Sequence, residues 1–190
     1  MLRIRLNDRR FVLEMLPKDS VGVEIGVDVG DFSHHILRKV NPRELHLIDP
    51  WKYEPSAEYK DALYGGRAAG GQFEMEQKYQ YVRARFEAEI KSGRVVVHRG
   101  FSADVLPQLP DECLDWAYVD GNHLYEFVKQ DLELSYVKTK RGGYIAGDDY
   151  GEGSWWKGGV KRAVDEFIKT HNVEQVKIQN RHYVLRRPGG

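Results

Sequence analysis

Three aspartates close two short runs of strand-forming residues: Asp120 ends LDWAYVD, and Asp148 and Asp149 follow GYIAG. Carboxylates at such ends lie on the carboxyl edge of a parallel sheet, and if the two strands are neighbours all three acids converge there. Like charges held together are costly unless a cation neutralises them, and oxygen-only ligation suits Mg²⁺, Mn²⁺ or Ca²⁺ better than a soft metal. His123 stands three residues past Asp120. With an ordinary pKa of about 6.5, an imidazole there is suited to take a proton from a hydroxyl acidified by such an ion. Asn122 cannot do so, because an amide accepts no proton near neutral pH. Plainer readings stand beside these: Asp148 and Asp149 as caps of the loop Tyr150 to Lys157, and His123 as a cap or packed side chain of the next helix.

A second group of residues lies near the start of the chain. Val21 to Asp31, VGVEIGVDVGD, is a β-branched run that breaks into glycines and then into an amphipathic segment, the pattern of strand, turn and helix. Glu24, Gly26 and Gly30 fit acidic-x-G-x-x-x-G and do not fit the dinucleotide spacing GxGxxG. The next strand, Glu44 to Ile48, ends in Asp49, which lies 23 positions past Gly26 (49 minus 26). A ribose-binding acid is expected about 20 residues on.

VEIGVDVGDFSHHIL followed by LHLIDPW resembles the class I S-adenosylmethionine (SAM) dependent methyltransferases. The resemblance implies that Gly26 lets the backbone approach the methionine part of SAM, that Glu24 sits near its amino group, and that Asp49 accepts the ribose hydroxyls. Gly30, Trp51 and Asp120 join that cofactor set, and the turn Gly100-Phe101-Ser102 is expected to touch the adenine. Further along, D-G-N-H-x-Y-E at Asp120 to Glu126, G-D-D-Y at Gly147 to Tyr150 and G-V-K-R-A-V-D-E-F at Gly159 to Phe167 resemble the metal-dependent O-methyltransferases. Both the catechol type and the group that methylates sugars of macrolide and aminocoumarin antibiotics are similar. Carried over by position, this resemblance makes Asp120, Asp148 and Asp149 the ligands of Mg²⁺ or Mn²⁺, and His123, Asp120 and Asp149 the catalytic set. The sugar group often has a second Asp where this chain has Asn122, and the catechol type has a lysine at the position of His123.

The elements that must position these residues alternate. Helices are expected over Arg9 to Leu16, Asp31 to Val40, Phe73 to Ile90, Ala103 to Leu106 (capped by Ser102), Leu124 to Val137 and Gly158 to Lys169. Strands are expected at Arg94 to His98, Leu114 to Val119 and GYIAG, besides the first two. Val173 to Ile178 with His182 to Arg186 form a closing hairpin. This is an α/β chain with a doubly wound, mostly parallel Rossmann-like sheet, helices on both faces and a C-terminal antiparallel hairpin. All 190 residues form one domain. The first helix is expected at the domain's edge. Residues 50–71, with Trp51, Tyr53, Tyr59 and Tyr64 and glycine pairs at both Gly65-Gly66 and Gly70-Gly71, are expected to be a lid hinged at the glycines.

Lys plus Arg equals Asp plus Glu at 29 each, so no global field points to nucleic acid or to a membrane. The N-terminus breaks its apolar residues with charges and reads as neither signal peptide nor membrane span, so a soluble, cytoplasmic protein is expected. Cys113 is the lone cysteine and is read as packed. The expected activity is O-methyl transfer from SAM to a hydroxyl of a small molecule, with a divalent metal orienting and acidifying the acceptor. A sugar is favoured over a phenol because Trp51, Tyr53, Tyr59, Tyr64, Trp155 and Trp156 could stack on carbohydrate. The alternatives are a metal-independent methyltransferase, a dehydrogenase-type nucleotide-binding enzyme and a non-catalytic SAM-binding protein. The first helix and the hairpin offer contact surfaces for a homo-oligomer.

Overall fold

The computed structural model describes residues 6–152 and 155–189. The first five residues of the charged N-terminal stretch, and Gly153 and Ser154 of the loop after Asp149, lie outside them. A seven-stranded sheet runs β3-β2-β1-β4-β5-β7-β6, where β1 is Val21–Ile25, β2 Glu44–Asp49, β3 Val95–Arg99, β4 Leu114–Val119, β5 Thr139–Gly147, β6 Glu174–Gln179 and β7 His182–Arg186. The first five strands pair in parallel; β7 runs antiparallel to β5 and to β6. The expected doubly wound sheet with its closing hairpin is therefore the observed one. Because the strand order reverses at β1, the β1 and β4 carboxyl ends frame the crevice where open α/β sheets bind ligands.

Helices α1 (Leu6–Met15), α2 (Asp31–Lys39), α3 (Gly71–Arg85) and α4 (Glu87–Lys91) accompany one half of the chain. The other half carries α5 (Ser102–Val105), α6 (Tyr125–Lys138) and α7 (Gly159–Thr170). One apolar layer joins Val12, Leu16, Ile36, Leu47, Val82 and Trp116; the other joins Ile25, Ile48, Leu106, Val128, Leu132, Val164 and Leu185. Two layers follow from strand pleating, which sends successive side chains to opposite faces so that Leu47 and Ile48 divide between them. None of the described helices is long and apolar enough to cross a membrane.

Two local expectations change, and the segment 50–71 takes a definite form. The segment Phe73 to Ile90 is not one helix: the backbone breaks at Phe86 (φ −110°, ψ 24°), whose ring is buried against Gly30, where a Cβ would meet it at 2.6 Å. Helix α1 is no edge decoration, because Val12, Leu13 and Leu16 are buried in the core. The glycines of residues 50–71 permit close packing. Cβ atoms at Gly65 and Gly66 would meet the carbonyls of Tyr59 and Lys60 at 2.1 and 2.2 Å, and of the four only Gly71 has a positive φ, at 55°. The segment is compact, with a 3₁₀ turn at Ala57–Tyr59 and with Tyr59, Ala62 and Ala68 buried.

Candidate active site

One open cleft of about 1480 Å³ lies across the carboxyl edge, and Glu24, Gly26, Asp49, Trp51, Gly100, Ser102 and Asp120 line it together. At its floor Gly26 takes a positive φ of 88°, and a Cβ there would meet the Asp120 carbonyl oxygen at 2.1 Å. Only glycine permits that backbone contact. Gly30 does not line the cleft; it precedes α2 in the left-handed region, φ 75°, and its service is to make room for Phe86.

Asp49 organises the loops on both sides. Its Oδ2 accepts the backbone N–H groups of Val27 and Asp28 at 2.9 and 3.0 Å, and its Oδ1 accepts that of Trp51 at 2.7 Å. Burial nevertheless pushes its pKa above the ordinary carboxylate value, against the pull of those bonds. The Trp51 indole N–H donates to the Asp28 carbonyl at 2.8 Å, so this ring is fixed in the wall. Asp28, Trp51 and Asp149 all line the cleft and all hold left-handed backbones, with φ of 50°, 41° and 59°. Such residues cost about 1–3 kcal/mol each and gather at functional sites.

Glu24 is 1% exposed, and its Oε2 has no hydrogen-bond partner. Burial drives its carboxyl up to about 8, with neighbouring Asp120 adding to the rise and Ser33 and Arg9 opposing it. An orphaned buried oxygen on the cleft wall is the feature that a cationic ligand group would satisfy. The glycine floor, the fixed carboxylate of Asp49 and the unpartnered Glu24 fit SAM.

Beyond Gly26 the cleft reaches the three aspartates expected to converge, and they do. Arg9 of α1 bridges two of them, donating to Asp120 Oδ2 at 3.2 Å and to Asp148 Oδ2, while its guanidinium lies 5.1 Å from the centre of the Phe32 ring. Asp148 Oδ1 accepts the Asp149 backbone N–H at 2.6 Å and lies 2.9 Å from His182 Nδ1. Arg181 donates to Asp149 Oδ1 at 2.6 Å. His123 Nε2 is 2.8 Å from Asp149 Oδ2 and 3.5 Å from Asp120 Oδ1. Burial alone would lower the His123 pKa, but Asp120 and Asp149 outweigh it and raise it to about 9. For Asp148 burial is likewise outweighed, by His182 and Arg9, which hold it below the ordinary value; Asp120 stays above it because burial prevails over Arg9 and His123.

This network decides how well the residues suit a divalent ion. Each of the six carboxylate oxygens of Asp120, Asp148 and Asp149 already faces a guanidinium, an imidazole or a backbone amide. Arg9 occupies the space between Asp120 and Asp148, so the three-aspartate set expected for Mg²⁺ or Mn²⁺ does not fit in this arrangement. Among the described residues a different set, Asp120, His123 and Asp149, brings one donor atom each within 4.8 Å of the others. His123 could join that set only as the neutral imidazole, which keeps a lone pair on one ring nitrogen.

Asn122, which departs from the sugar group's pattern, has its own work. Its side-chain oxygen accepts the Leu124 N–H at 3.0 Å at the start of α6, and its amide donates to the Tyr59 hydroxyl at 3.0 Å. The turn that carries His123 is thereby tied to the segment 50–71. Tyr59 and Tyr64 meet Trp155, and Trp156 lies 4.9 Å from the His123 ring, closing an aromatic wall over the imidazole. Tyr53, expected in that wall, is not among the residues lining the cleft.

Sequence reasoning missed Arg9, Arg181, His182 and Asp131. Asp131 carried a signal: it sits on the buried face of α6 with Val128, Leu132 and Ser135, at helical spacing. It is 3% exposed, lines the cleft, accepts the hydroxyl of Ser102 and is pushed by burial up to about 7. Ser102 therefore does not cap α5, whose flanking residue is Phe101.

A family profile described as "Methyltransferase domain" matches residues 23–150. An uncharacterised protein, R132, of Acanthamoeba polyphaga mimivirus is 39% identical over 51 residues, a segment covering 27% of this chain and 23% of that protein. Among solved structures, a candidate caffeoyl-CoA O-methyltransferase from Staphylococcus aureus superposes with a TM-score of 0.67 at 14% identity, over 98% of this chain and 85% of the other. SMU.1697c, a candidate methyltransferase from Streptococcus mutans solved with S-adenosylhomocysteine (SAH), gives 0.59 at 14% identity, over 97% of each chain. A candidate rRNA methylase from Clostridium thermocellum gives 0.65 at 12% identity, over 96% and 94%. Likenesses this remote in sequence speak for the fold and leave the methyl acceptor open. With the profile spanning most of the chain and the strand order and cleft just described, this protein belongs to the methyltransferase-domain family, among the class I SAM-dependent methyltransferases.

Proposed function

We propose that this chain transfers a methyl group to a hydroxyl oxygen of a small molecule, with a sugar or glycoside favoured over a phenol. The observation carrying this reading is the continuity of the cleft: the wall of Glu24, Gly26 and Asp49 runs directly into Asp120, His123 and Asp149. SAM, when bound, supplies an electrophilic methyl on a sulfonium. The chain's part is to hold the cofactor, exclude water and receive the acceptor's proton. Asp49 is set for the ribose hydroxyls and Glu24 for the amino group. Tyr59, Tyr64, Trp155 and Trp156 line the far side, where flat rings suit the faces of a sugar, and the structurally similar S. aureus protein, a candidate caffeoyl-CoA O-methyltransferase, supports oxygen as the target.

His123 is the base in this reading. Nε2 lies 2.8 Å from Asp149 Oδ2, neither ring nitrogen makes a hydrogen bond within the protein, and Nδ1 is the one with no carboxylate beside it. Asp149 orients the ring and stabilises the imidazolium once it forms, a role a carboxylate fills without itself being protonated. No step in this mechanism runs through a metal ion.

The test is incubation with SAM and separate panels of glycosides, phenols and amines, followed by mass spectrometry of the products. Methylated glycoside or phenol with stoichiometric SAH supports O-transfer. Methylation of the amines alone refutes it.

A further inference from the structure

We infer that Arg9 takes the place of a divalent ion between Asp120 and Asp148: the chain supplies its own cation to this pair at the strand ends, and the pair neither needs nor binds a metal. The inference rests on the site of the proposed activity but not on which molecule is methylated.

The argument begins with what a divalent ion would do there. It would neutralise carboxylates brought together at the ends of β4 and β5, and it would hold them in a fixed relation. Arg9 does both. One guanidinium nitrogen meets Asp120 and the other Asp148, so the planar fork joins the two strand ends across the position an ion would use. A guanidinium suits this duty because it stays charged, is weakly hydrated and directs its N–H bonds in one plane. Its seat is built, too: the group is largely buried, with a side-chain exposure of 17%, and it stacks on Phe32. The helix presenting it is anchored in the core by Val12, Leu13 and Leu16.

Admitting a metal would require more than an empty coordination sphere. For an ion placed between Asp120 and Asp148, Arg9 would have to leave, stranding a desolvated guanidinium, and the ion would still compete with the Asp149 amide and His182 for Asp148 Oδ1. Mg²⁺ demands near-octahedral oxygens at about 2.0–2.1 Å and gives up water reluctantly, so it gains little from acids that are already paired. Arg9 also lines the cleft.

The experiment is Mn²⁺ binding, followed by electron paramagnetic resonance and calorimetry with and without SAH, in wild type, Arg9→Met, Arg9→Lys and Asp148→Asn. Methionine keeps the length and the contact with Phe32 while removing the charge. Wild type and Arg9→Lys are expected to take up no Mn²⁺ to about 1 mM, whereas Arg9→Met gains one site and binds at least about tenfold more tightly. Saturable binding to wild type that Asp148→Asn abolishes would overturn the inference. So would a folded Arg9→Met protein that binds Mn²⁺ no better than wild type. Should Arg9→Met not fold, the wild-type measurement still decides between the outcomes. None of these readings needs turnover, so the inference and the proposed O-methyl transfer fail separately. Where turnover is found, wild type should keep its rate in EDTA.

Discussion

SAM binding should release a proton from Glu24. The carboxyl is fully buried, lacks a partner at Oε2 and titrates at about 8, so in the free protein at pH 7 roughly nine-tenths of the molecules carry a neutral Glu24. An ammonium arriving beside it favours the ionised form and returns its pKa toward the ordinary carboxylate range. Linkage then fixes the sign: binding tightens as pH rises, because fewer protons remain to be expelled. Taking the free pKa as about 8, affinity should increase about ninefold between pH 6 and pH 7, close to 1.3 kcal/mol. The measurement is titration calorimetry with SAH, which keeps the amino-acid moiety, over pH 5.5 to about 7, where the α-amino group remains charged. At pH 7 the apparent enthalpy should differ between phosphate and imidazole buffers by nearly one proton's worth of buffer ionisation. Glu24→Gln should remove both the slope and the buffer dependence. Affinity in wild type that does not change with pH, with equal enthalpies in the two buffers, would refute the argument. The same group affects folding with the opposite trend. A raised carboxyl pKa adds stability while the folded state holds the proton, and the advantage is lost as pH climbs from about 4.5 toward about 8. Glu24→Gln should therefore raise the melting temperature at pH 8 and change it little at pH 5.

Three further outcomes are expected. His123→Ala should lower kcat by about 10²- to 10⁴-fold with little change in SAH affinity, and in wild type the rate should rise from pH 7 toward about 9 as the imidazolium loses its proton; a flat profile with normal kcat in the mutant would remove His123 from the chemistry. Asp49→Ala should weaken SAH binding by about 1.5–3 kcal/mol and also lower the melting temperature, since Val27, Asp28 and Trp51 lose their acceptor, and an unchanged Kd would take Asp49 out of the site. Asn122→Ala should loosen the tie to Tyr59 and speed limited proteolysis within residues 50–71, with SAH and a bound acceptor restoring protection; cleavage equal to wild type would mean that the tie does not hold this segment.

Most of the sheet was legible in the sequence because its strands are β-branched runs that stop at glycine or aspartate, and the acids at those stops were found for the same reason. Asp120, Asp148 and Asp149 could be foreseen to converge without knowing the strand order beyond β4 beside β5. What neutralises them could not. Arg9 lies 111 and 139 positions from its partners, on a helix whose local pattern indicates only which side faces the core. Periodicity also could not show that α3 stops at Arg85, since that break depends on the space Gly30 leaves for Phe86. Ser102 at the head of a short helix has the local form of a cap. A buried carboxylate from α6 claims its hydroxyl instead, and such a competitor is visible only in three dimensions.

The bridge made by Arg9 also bears on the order in which the molecule can become complete. Its network draws on α1, on the β4 and β5 ends and, through His182, on the last strand, so it closes contacts spanning nearly the whole chain. Contacts of such separation form late, after loop-closure entropy has been overcome by local structure. During synthesis the aspartates of β4 and β5 emerge long after Arg9 and before His182, and until the hairpin docks against β5 they lack part of their compensation. Repulsion among uncompensated acids opposes early collapse of the carboxyl edge, whereas the apolar layers can condense without it. The cleft should thus be the last region to gain protection in pulsed hydrogen exchange, and a chain halted before β7 should hold a sheet core but no ordered acid cluster.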